Sequence, residues 1–250
     1  MRFTHFFFLL YIFIFFSCKE QKLQLTKIEG SQIQITDSLS ADAEIEAFIK
    51  PFREHIQKDL DSVLAYSLNT YSKHDGKYNT LIGNFLADAI FDEANPIFKI
   101  RTGKNIDMVF LNSGSIRSII PKGNISARTM FEIMPFDNDT YVVAYNGDDV
   151  KRLIKDIVES KQAHAISKLK IRIDKDYNLI NATIGNEKID SSKTYYIAIS
   201  DYMYNSRVEE WLPNEGLYPL NYHLRKIFID HIKKIDTIKP DIKDRYIVIP

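Results

Sequence analysis

Residues 106–126 read IDMVFLNSGSIRSIIPKGNIS and combine an apolar run with a polar turn. Its first part, 106–111, is a short apolar run bounded by polar residues, which predicts a buried β-strand. The polar, glycine-containing turn 112–117 leaves this strand at the kind of position where open α/β sheets bind ligands. There, backbone N–H groups and serine hydroxyls can bind anionic oxygens, and Arg117 can bind them through two N–H groups. Taken by itself, this sequence fits an ordinary surface turn with one exposed arginine better than it fits a ligand site.

Helix and strand patterns interleave on both sides of this stretch, without the strict alternation of a doubly wound parallel sheet. Apolar residues at three- and four-residue steps predict helices, and short alternating or continuous apolar runs predict strands. This order predicts an α+β (mixed α/β) fold, a single domain over 44–250 with a mixed sheet and flanking helices. The predicted helices are 79–91, a segment from Asp148 or Asp149 to Ser160, 224–235, and an amphipathic helix after Ser40 or Asp42 in which Pro51 predicts a kink or a restart. The predicted strands are 32–36 (a short edge strand), 62–68, 106–111, 142–145, 169–173, 180–184 and 195–200.

Composition excludes several classes of protein. The chain has 250 residues, 45% of them apolar, and 33 basic against 33 acidic side chains. A neutral chain lacks the basic excess that a nucleic-acid binder needs to neutralise phosphates. The apolar content also argues against intrinsic disorder, which goes with few apolar residues and high net charge. A single cysteine excludes an intramolecular disulfide and a cysteine-based zinc site.

That cysteine, Cys18, ends a segment that resembles a bacterial lipoprotein signal. Arg2 precedes an unbroken run of eleven apolar residues, 6–16. Such a run is too short to cross a hydrocarbon core of ~30 Å as a helix, but it is typical of a secretory signal. We therefore expect a signal peptide over 1–17, a lipid on Cys18, and a tether with the edge strand over 18–43. The alternative is an uncleaved anchor, and both interpretations predict an exported, membrane-anchored protein on the periplasmic or cell-surface side.

The sequence contains no recognisable metal or nucleophile motif. The six histidines form no HxH, HxxxH or HExxH pair, and there is no GxSxG. Surface or capping positions are the simpler interpretation of the histidines. We therefore expect no catalytic residue and no metal ligand in this chain. The histidines are His5, His55, His74, His164, His223 and His231.

Four segments occur in a characteristic order: LIGNFLADAI (81–90), IDMVFLNSGSIRSIIPKGNIS (106–126), FEIMPFDNDTYVVAYNGDDVKRLI (131–154) and IDSSKTYYIAISDYMYN (189–205). The Asn-Ser-Gly-Ser-Ile-Arg turn and the Pro-Phe-Asp-Asn segment are their most specific parts. Together they resemble the C-terminal domain of the 5′-nucleotidase family, from about Glu44 to the end of the chain. The resemblance implies that domain's fold and its role, the recognition of a nucleotide or nucleoside.

The resemblance also implies a set of substrate-binding residues. By position, Asn112 hydrogen-bonds the nucleoside and Arg117 faces its ribose-phosphate side. Phe136 and Tyr202 match two aromatic residues that stack on the base, each contributing ~1–3 kcal/mol. Core packing of Phe136 and a strand-end aromatic at Tyr202 stay open as alternatives. The implied set is Asn112, Gly114, Arg117, Phe136, Asn138 and Tyr202.

Two turns depart from the family pattern. The family's Asn-Gly-Gly-Asp is Asn205, Ser206, Arg207 and Val208 here, and Ser115 stands where a second glycine is usual. The missing carboxylate would hold the ribose hydroxyls, and its loss removes ~1.5–3 kcal/mol of hydrogen bonding. Binding on this side of the nucleotide is therefore an open question.

In the 5′-nucleotidase family, a separate N-terminal metallophosphatase domain hydrolyses the phosphoester with two metal ions. Residues 19–43 are too few to form such a domain. We therefore expect a tethered recognition subunit that pairs with a separately encoded metallophosphatase, with divalent metals only in that partner. The alternatives are a non-enzymatic binding or interaction lipoprotein on a degenerate copy of the domain, and an independent enzyme.

Overall fold

A computed structural model describes residues 24–208, 215–242 and 244–249. The predicted signal peptide and Cys18 lie outside these ranges. Within them, the helices are α1 (Ala43–Asp61), α2 (Leu81–Thr102), α3 (Ala127–Ile133), α4 (Gly147–Glu159), α5 (Asp201–Met203) and α6 (Leu224–Ile232). The strands are β1 (Val63–Ser67), β2 (Met108–Leu111), β3 (Gly123–Ser126), β4 (Asp139–Asn146), β5 (Ala165–Ser167), β6 (Leu169–Ile173), β7 (Leu179–Ile184), β8 (Glu187–Lys188), β9 (Thr194–Ser200), β10 (Gly216–His223), β11 (Thr237–Ile238) and β12 (Tyr246–Val248).

The strands form three mixed sheets, all within the compact unit 49–250. The central sheet has the order β10–β4–β9–β2–β5, in which β2 and β9 run parallel and the other neighbours antiparallel. The two smaller sheets have the orders β11–β1–β3 and β12–β6–β7–β8. The mixed α/β fold is confirmed, with its strands divided among three sheets.

Both faces of the central sheet are covered, which explains why its strands are nearly continuous apolar runs. Successive side chains of a strand point to opposite faces. Along β2, Val109 and Leu111 pack into one core with α2 and α6, and Met108 and Phe110 pack into a second core with α4. All four side chains are buried. The turn 112–117 therefore begins from a strand that is fixed on both sides.

Helix α2 ends at Thr102 rather than at the predicted position 91. Its interior includes Pro96, and Gly103 ends it in the left-handed conformation with φ of 74°. Glu93, in the part of the helix beyond the predicted end, is only 7% exposed. Its carboxylate is paired with His231 and Lys234 at the end of α6, so tertiary contacts extend the helix.

Residues 32–36 form no strand, so the prediction of a short edge strand is wrong. Ile33 and Ile35 are 87% and 90% exposed. An alternating pattern becomes a strand only where a neighbouring strand accepts and donates its backbone hydrogen bonds.

Helix α1 begins where the sequence predicts. The Asp42 carboxylate accepts hydrogen bonds from the N–H groups of Glu44 and Ile45, at 2.9 and 3.1 Å. The helix continues through Pro51 without a restart, and none of its side chains is buried. In the ranges given above, no helix is both long enough and apolar enough to cross a bilayer.

Candidate functional site

One cavity of about 330 Å³ is lined by all six residues of the predicted set together with Ser115. Three loops contribute: the turn after β2, the loop between α3 and β4, and the helical turn after β9. The structure therefore brings residues from three separate sequence segments to one place. Their contact with a ligand stays a prediction.

The turn after β2 fixes the amide of Asn112. A short 3₁₀ turn, Ser113–Ser115, is closed by a hydrogen bond from the Ser115 N–H to the Asn112 carbonyl oxygen at 3.0 Å. The Ser115 hydroxyl donates to Asn112 Oδ1, so the amide nitrogen of Asn112 is the atom left to donate to a ligand. A Cβ at Gly114 would lie 3.1 Å from that nitrogen, which is why glycine suits this position.

Arg117 brings positive charge to the cavity. The Arg117 side chain is exposed, donates to the Gly114 carbonyl oxygen at 3.1 Å, and lies 5.7 Å from the centre of the Phe136 ring. Lys73 donates to the carbonyl oxygen of Ile116 at 2.8 Å, which brings a second cation to the same turn. Sequence reasoning missed Lys73, because no motif connects it to the turn 43 residues further along the chain.

The two aromatic residues of the cavity are both solvent-accessible. Phe136 is 46% exposed and Tyr202 is 57% exposed. Core packing is therefore wrong as an explanation of Phe136. Tyr202 follows the end of β9 within α5, and its ring lines the cavity. Exposed rings of this size are available for stacking on a planar ligand.

Asp201 connects the second and third loops of the cavity. Its carboxylate accepts from Asn138 Nδ2 at 2.9 Å and from the N–H of Tyr202 at 2.6 Å. Because a carboxylate accepts and the amide nitrogen donates, this contact orients the Asn138 side chain. Asp201 is a second residue that sequence reasoning missed, although it stands beside Tyr202 in the chain.

The turn that differs from the family's Asn-Gly-Gly-Asp pattern lies in a π-helical segment, Tyr204–Val208, directly after α5. The family's glycines are absent there. The backbone therefore follows a helical path where glycine residues are usual in the family. The predicted loss of ribose contacts stays a prediction.

The described ranges contain no group of three or more His, Cys, Asp and Glu side chains arranged to hold a metal ion. His223 precedes α6 without a side-chain capping bond, and His231 lies 3.4 Å from Glu93.

A second cavity of about 430 Å³ lies between α2 and β10, with Asp92, Glu93, Arg101 and Lys234 in its lining. Burial raises the pKa of the Asp92 carboxyl. Glu93 and Lys234 pair with each other, and Arg101 donates to the Leu220 carbonyl oxygen at 2.9 Å. Because Glu93, Lys234 and Arg101 already have partners, this cavity favours no particular ligand.

The chain is a mixed α/β domain whose cavity, beyond the end of a buried strand, is lined by two exposed aromatic residues and several polar ones. The sequence matches the family described as 5′-nucleotidase, C-terminal domain, over residues 60–211, which is more than half of the chain. The chain therefore belongs to this family, and the resemblance seen in the four sequence segments is confirmed.

Similar proteins agree with this assignment. A 5′-nucleotidase of Vibrio parahaemolyticus serotype O3:K6 is 23% identical over 184 residues, which are 70% of this chain and 30% of that protein. The crystal structure of a 5′-nucleotidase precursor from Thermus thermophilus aligns with a TM-score of 0.66 at 17% identity, over 82% of this chain and 42% of that one. The NAD nucleotidase of Haemophilus influenzae aligns with a TM-score of 0.63 at 15% identity, over 84% and 42%. The chain spans less than half the length of each of these proteins.

Proposed function

We propose that the domain recognises a nucleotide or nucleoside in the cavity formed by its three loops. The observation that carries this proposal is the convergence of Phe136, Tyr202, Asn112 and Arg117 on one cavity. Two rings supply stacking faces, the amide nitrogen of Asn112 supplies a donor, and Arg117 supplies positive charge for a phosphate. The family assignment supports the same ligand class.

Calorimetric titration of the protein with AMP, UMP, adenosine and uridine tests this proposal. We expect Phe136→Ala and Tyr202→Ala each to weaken binding by about 5- to 150-fold, the equivalent of losing ~1–3 kcal/mol of stacking. Tyr66→Ala is the matched control, because Tyr66 is an exposed aromatic residue on β1 outside the cavity. Absence of binding by the unmodified protein would instead favour a non-enzymatic interaction lipoprotein, the alternative that the Ser206, Arg207 and Val208 departure suggests.

A second part of the proposal concerns catalysis. The sequence relatives of this chain carry the name 5′-nucleotidase, which links the family to phosphoester hydrolysis. We assign this hydrolysis to a separate metallophosphatase, which would carry the divalent metals, with this domain supplying nucleotide recognition. The test is AMP hydrolysis by a candidate metallophosphatase with and without this protein. Faster hydrolysis and a stable complex would support the pairing. The absence of both effects would contradict it.

The membrane attachment is proposed from the sequence of residues 1–18. Its test is incorporation of a radiolabelled fatty acid in cells that express the full chain, compared with Cys18→Ser. Labelling of both proteins, or of neither, contradicts lipidation at Cys18.

A further inference from the structure

The segment that joins α4 to β5 contacts the cavity turn at Ser113. The backbone N–H of Ser113 donates to His164 Nδ1 at 3.2 Å, and the Ser113 hydroxyl donates to Gln162 Oε1 at 2.8 Å. Ser113 itself does not line the cavity, but its neighbours Asn112 and Gly114 do. Both hydrogen-bond donors of Ser113, its N–H and its hydroxyl, are thus held by a segment about 50 residues away in the chain.

These partners assign one protonation state to His164. Its Nδ1 accepts the Ser113 N–H, so this nitrogen carries no proton, and the neutral imidazole carries its proton on Nε2. Nε2 lies 2.9 Å from the Ser160 hydroxyl oxygen. Ser160 donates its own hydrogen to the Ile157 carbonyl oxygen at 2.7 Å, so its oxygen accepts the imidazole N–H. Each hydrogen in this chain of bonds has a donor and an acceptor.

The imidazole ring of His164 is also held by a packing contact with an aromatic ring. Phe110 of β2 meets it edge to face, with the ring centres 5.2 Å apart and the planes at 74°. Ser160 is the residue that ends α4, and His164 is half-buried. A ring held by a buried strand on one side and by a helix end on another has little freedom to rotate. It therefore presents Nδ1 to Ser113 in a single direction.

We propose that His164 is a positioning residue for the cavity turn. As the Nε2–H tautomer it accepts the Ser113 N–H and so sets the backbone path of residues 112–117. That path decides where the Asn112 amide and the Arg117 guanidinium point. The role of the turn in binding rests on the proposed nucleotide recognition, whereas the fixing of Ser113 by His164 can be measured without any ligand.

Two substitutions of similar shape test the hydrogen bonds of the two ring nitrogens separately. In His164→Asn, the side-chain oxygen occupies the position of Nδ1 and can still accept the Ser113 N–H. In His164→Gln, the terminal amide occupies the position of Nε2, where it can contact Ser160 but not Ser113. We expect H164N to keep nucleoside affinity within about threefold of the wild type. We expect H164Q to weaken affinity about tenfold, because it leaves a half-buried N–H without its acceptor.

Amide hydrogen exchange of Ser113 in the full chain gives a readout that is independent of nucleotides. We expect slow exchange in the wild type and in H164N, and clearly faster exchange in H164Q, with similar thermal midpoints for the two variants. Equal exchange at Ser113 in all three proteins, or equal losses in H164N and H164Q, would overturn the proposal. If no protein binds nucleosides but the exchange pattern appears, the positioning role stands and the proposed ligand class fails.

Discussion

At the scale of single residues, Arg225 of α6 holds the backbone of the loop that carries Phe136. The Arg225 guanidinium donates to the carbonyl oxygens of Met134, Pro135 and Phe136 at 3.2–3.3 Å. It also donates to the Asp137 carboxylate at 3.0 Å. The two N–H groups of Nη1 are shared by the three carbonyl oxygens, and Nη2 donates to the carboxylate, so one planar guanidinium holds four acceptors of consecutive residues. This contact fixes a loop that presents an aromatic ring to solvent without burying it.

Arg225→Lys should weaken nucleoside binding by about 5- to 10-fold, because one ammonium group cannot span acceptors that a guanidinium fork reaches. The net charge is unchanged, so the loss would come from a looser Phe136 loop rather than from electrostatics. Calorimetry measures the affinity, and thermal unfolding checks that the fold is kept. Arg172→Lys is the matched control, since Arg172 lies exposed on β6. An R225K protein with unchanged affinity would show that the loop holds its shape without Arg225.

At the scale of whole elements, the start of α4 shows how a cap and a buried charge are combined. Asn146 is the capping residue, not Asp148 or Asp149 as the sequence suggests. Its Oδ1 accepts the N–H of Asp149 at 3.0 Å, and its Nδ2 donates to the Asp149 carboxylate at 2.7 Å. The Asp149 side chain is only 2% exposed and also pairs with Arg152. An amide is therefore required here, because it accepts and donates at once.

Asn146→Asp should destabilise the protein more than Asn146→Ser does, although aspartate is ordinarily as good a cap as asparagine. Serine keeps the acceptor for the Asp149 N–H but lacks the N–H that donates to the Asp149 carboxylate. Loss of that hydrogen bond costs ~1.5–3 kcal/mol. Aspartate keeps the acceptor but places a second carboxylate beside the buried Asp149, which adds repulsion. Urea unfolding at neutral pH measures the difference. Equal stability of N146D and the wild type would contradict this account.

The elements that the sequence predicts well are those whose pattern is local. Strands β1, β6, β7 and β9 and the start of α1 lie close to their predicted positions, because alternation and capping are properties of neighbouring residues. The end of α2 was mispredicted because Glu93 is stabilised by α6, far away in the sequence.

The same distinction applies to the cavity. Its lining residues belong to recognisable segments, so the sequence could indicate them before the structure placed them together. The residues that orient this lining belong to no such motif. Arg225 and His164 reach their partners from 51 to 91 residues away, and only the folded chain shows these contacts.

At the scale of the whole molecule, the second core contains two tyrosines whose buried hydroxyls form no hydrogen bond with the residues that the structure describes. Tyr145 and Tyr246 are buried, and their hydroxyl oxygens have no hydrogen-bond partner among the residues that the structure describes. Burial raises the pKa of Tyr145 well above its usual range, and raises the pKa of Tyr246 to about 12. Both groups belong to the core built on α4, so this core should lose stability at alkaline pH.

Unfolding should therefore become easier between about pH 10 and pH 12. In the unfolded chain a tyrosine loses its proton near pH 10, whereas in the folded protein Tyr246 keeps its proton until about pH 12. Above pH 10 the unfolded state thus binds fewer protons than the folded state, and stability falls as pH rises.

Tyr246→Phe removes both the unpartnered hydroxyl and its titration, and it keeps the ring stacked on Tyr78, with the ring centres 4.8 Å apart. At pH 7 we expect its free energy of unfolding to be unchanged or higher by up to about 1 kcal/mol. Above pH 10 we expect a shallower decrease than in the wild type, and Tyr66→Phe, at a 43% exposed position, should follow the wild type. Parallel curves for Y246F and the wild type in urea unfolding across this range would mean that the Tyr246 hydroxyl is hydrated, because only a dry hydroxyl resists ionisation in this way.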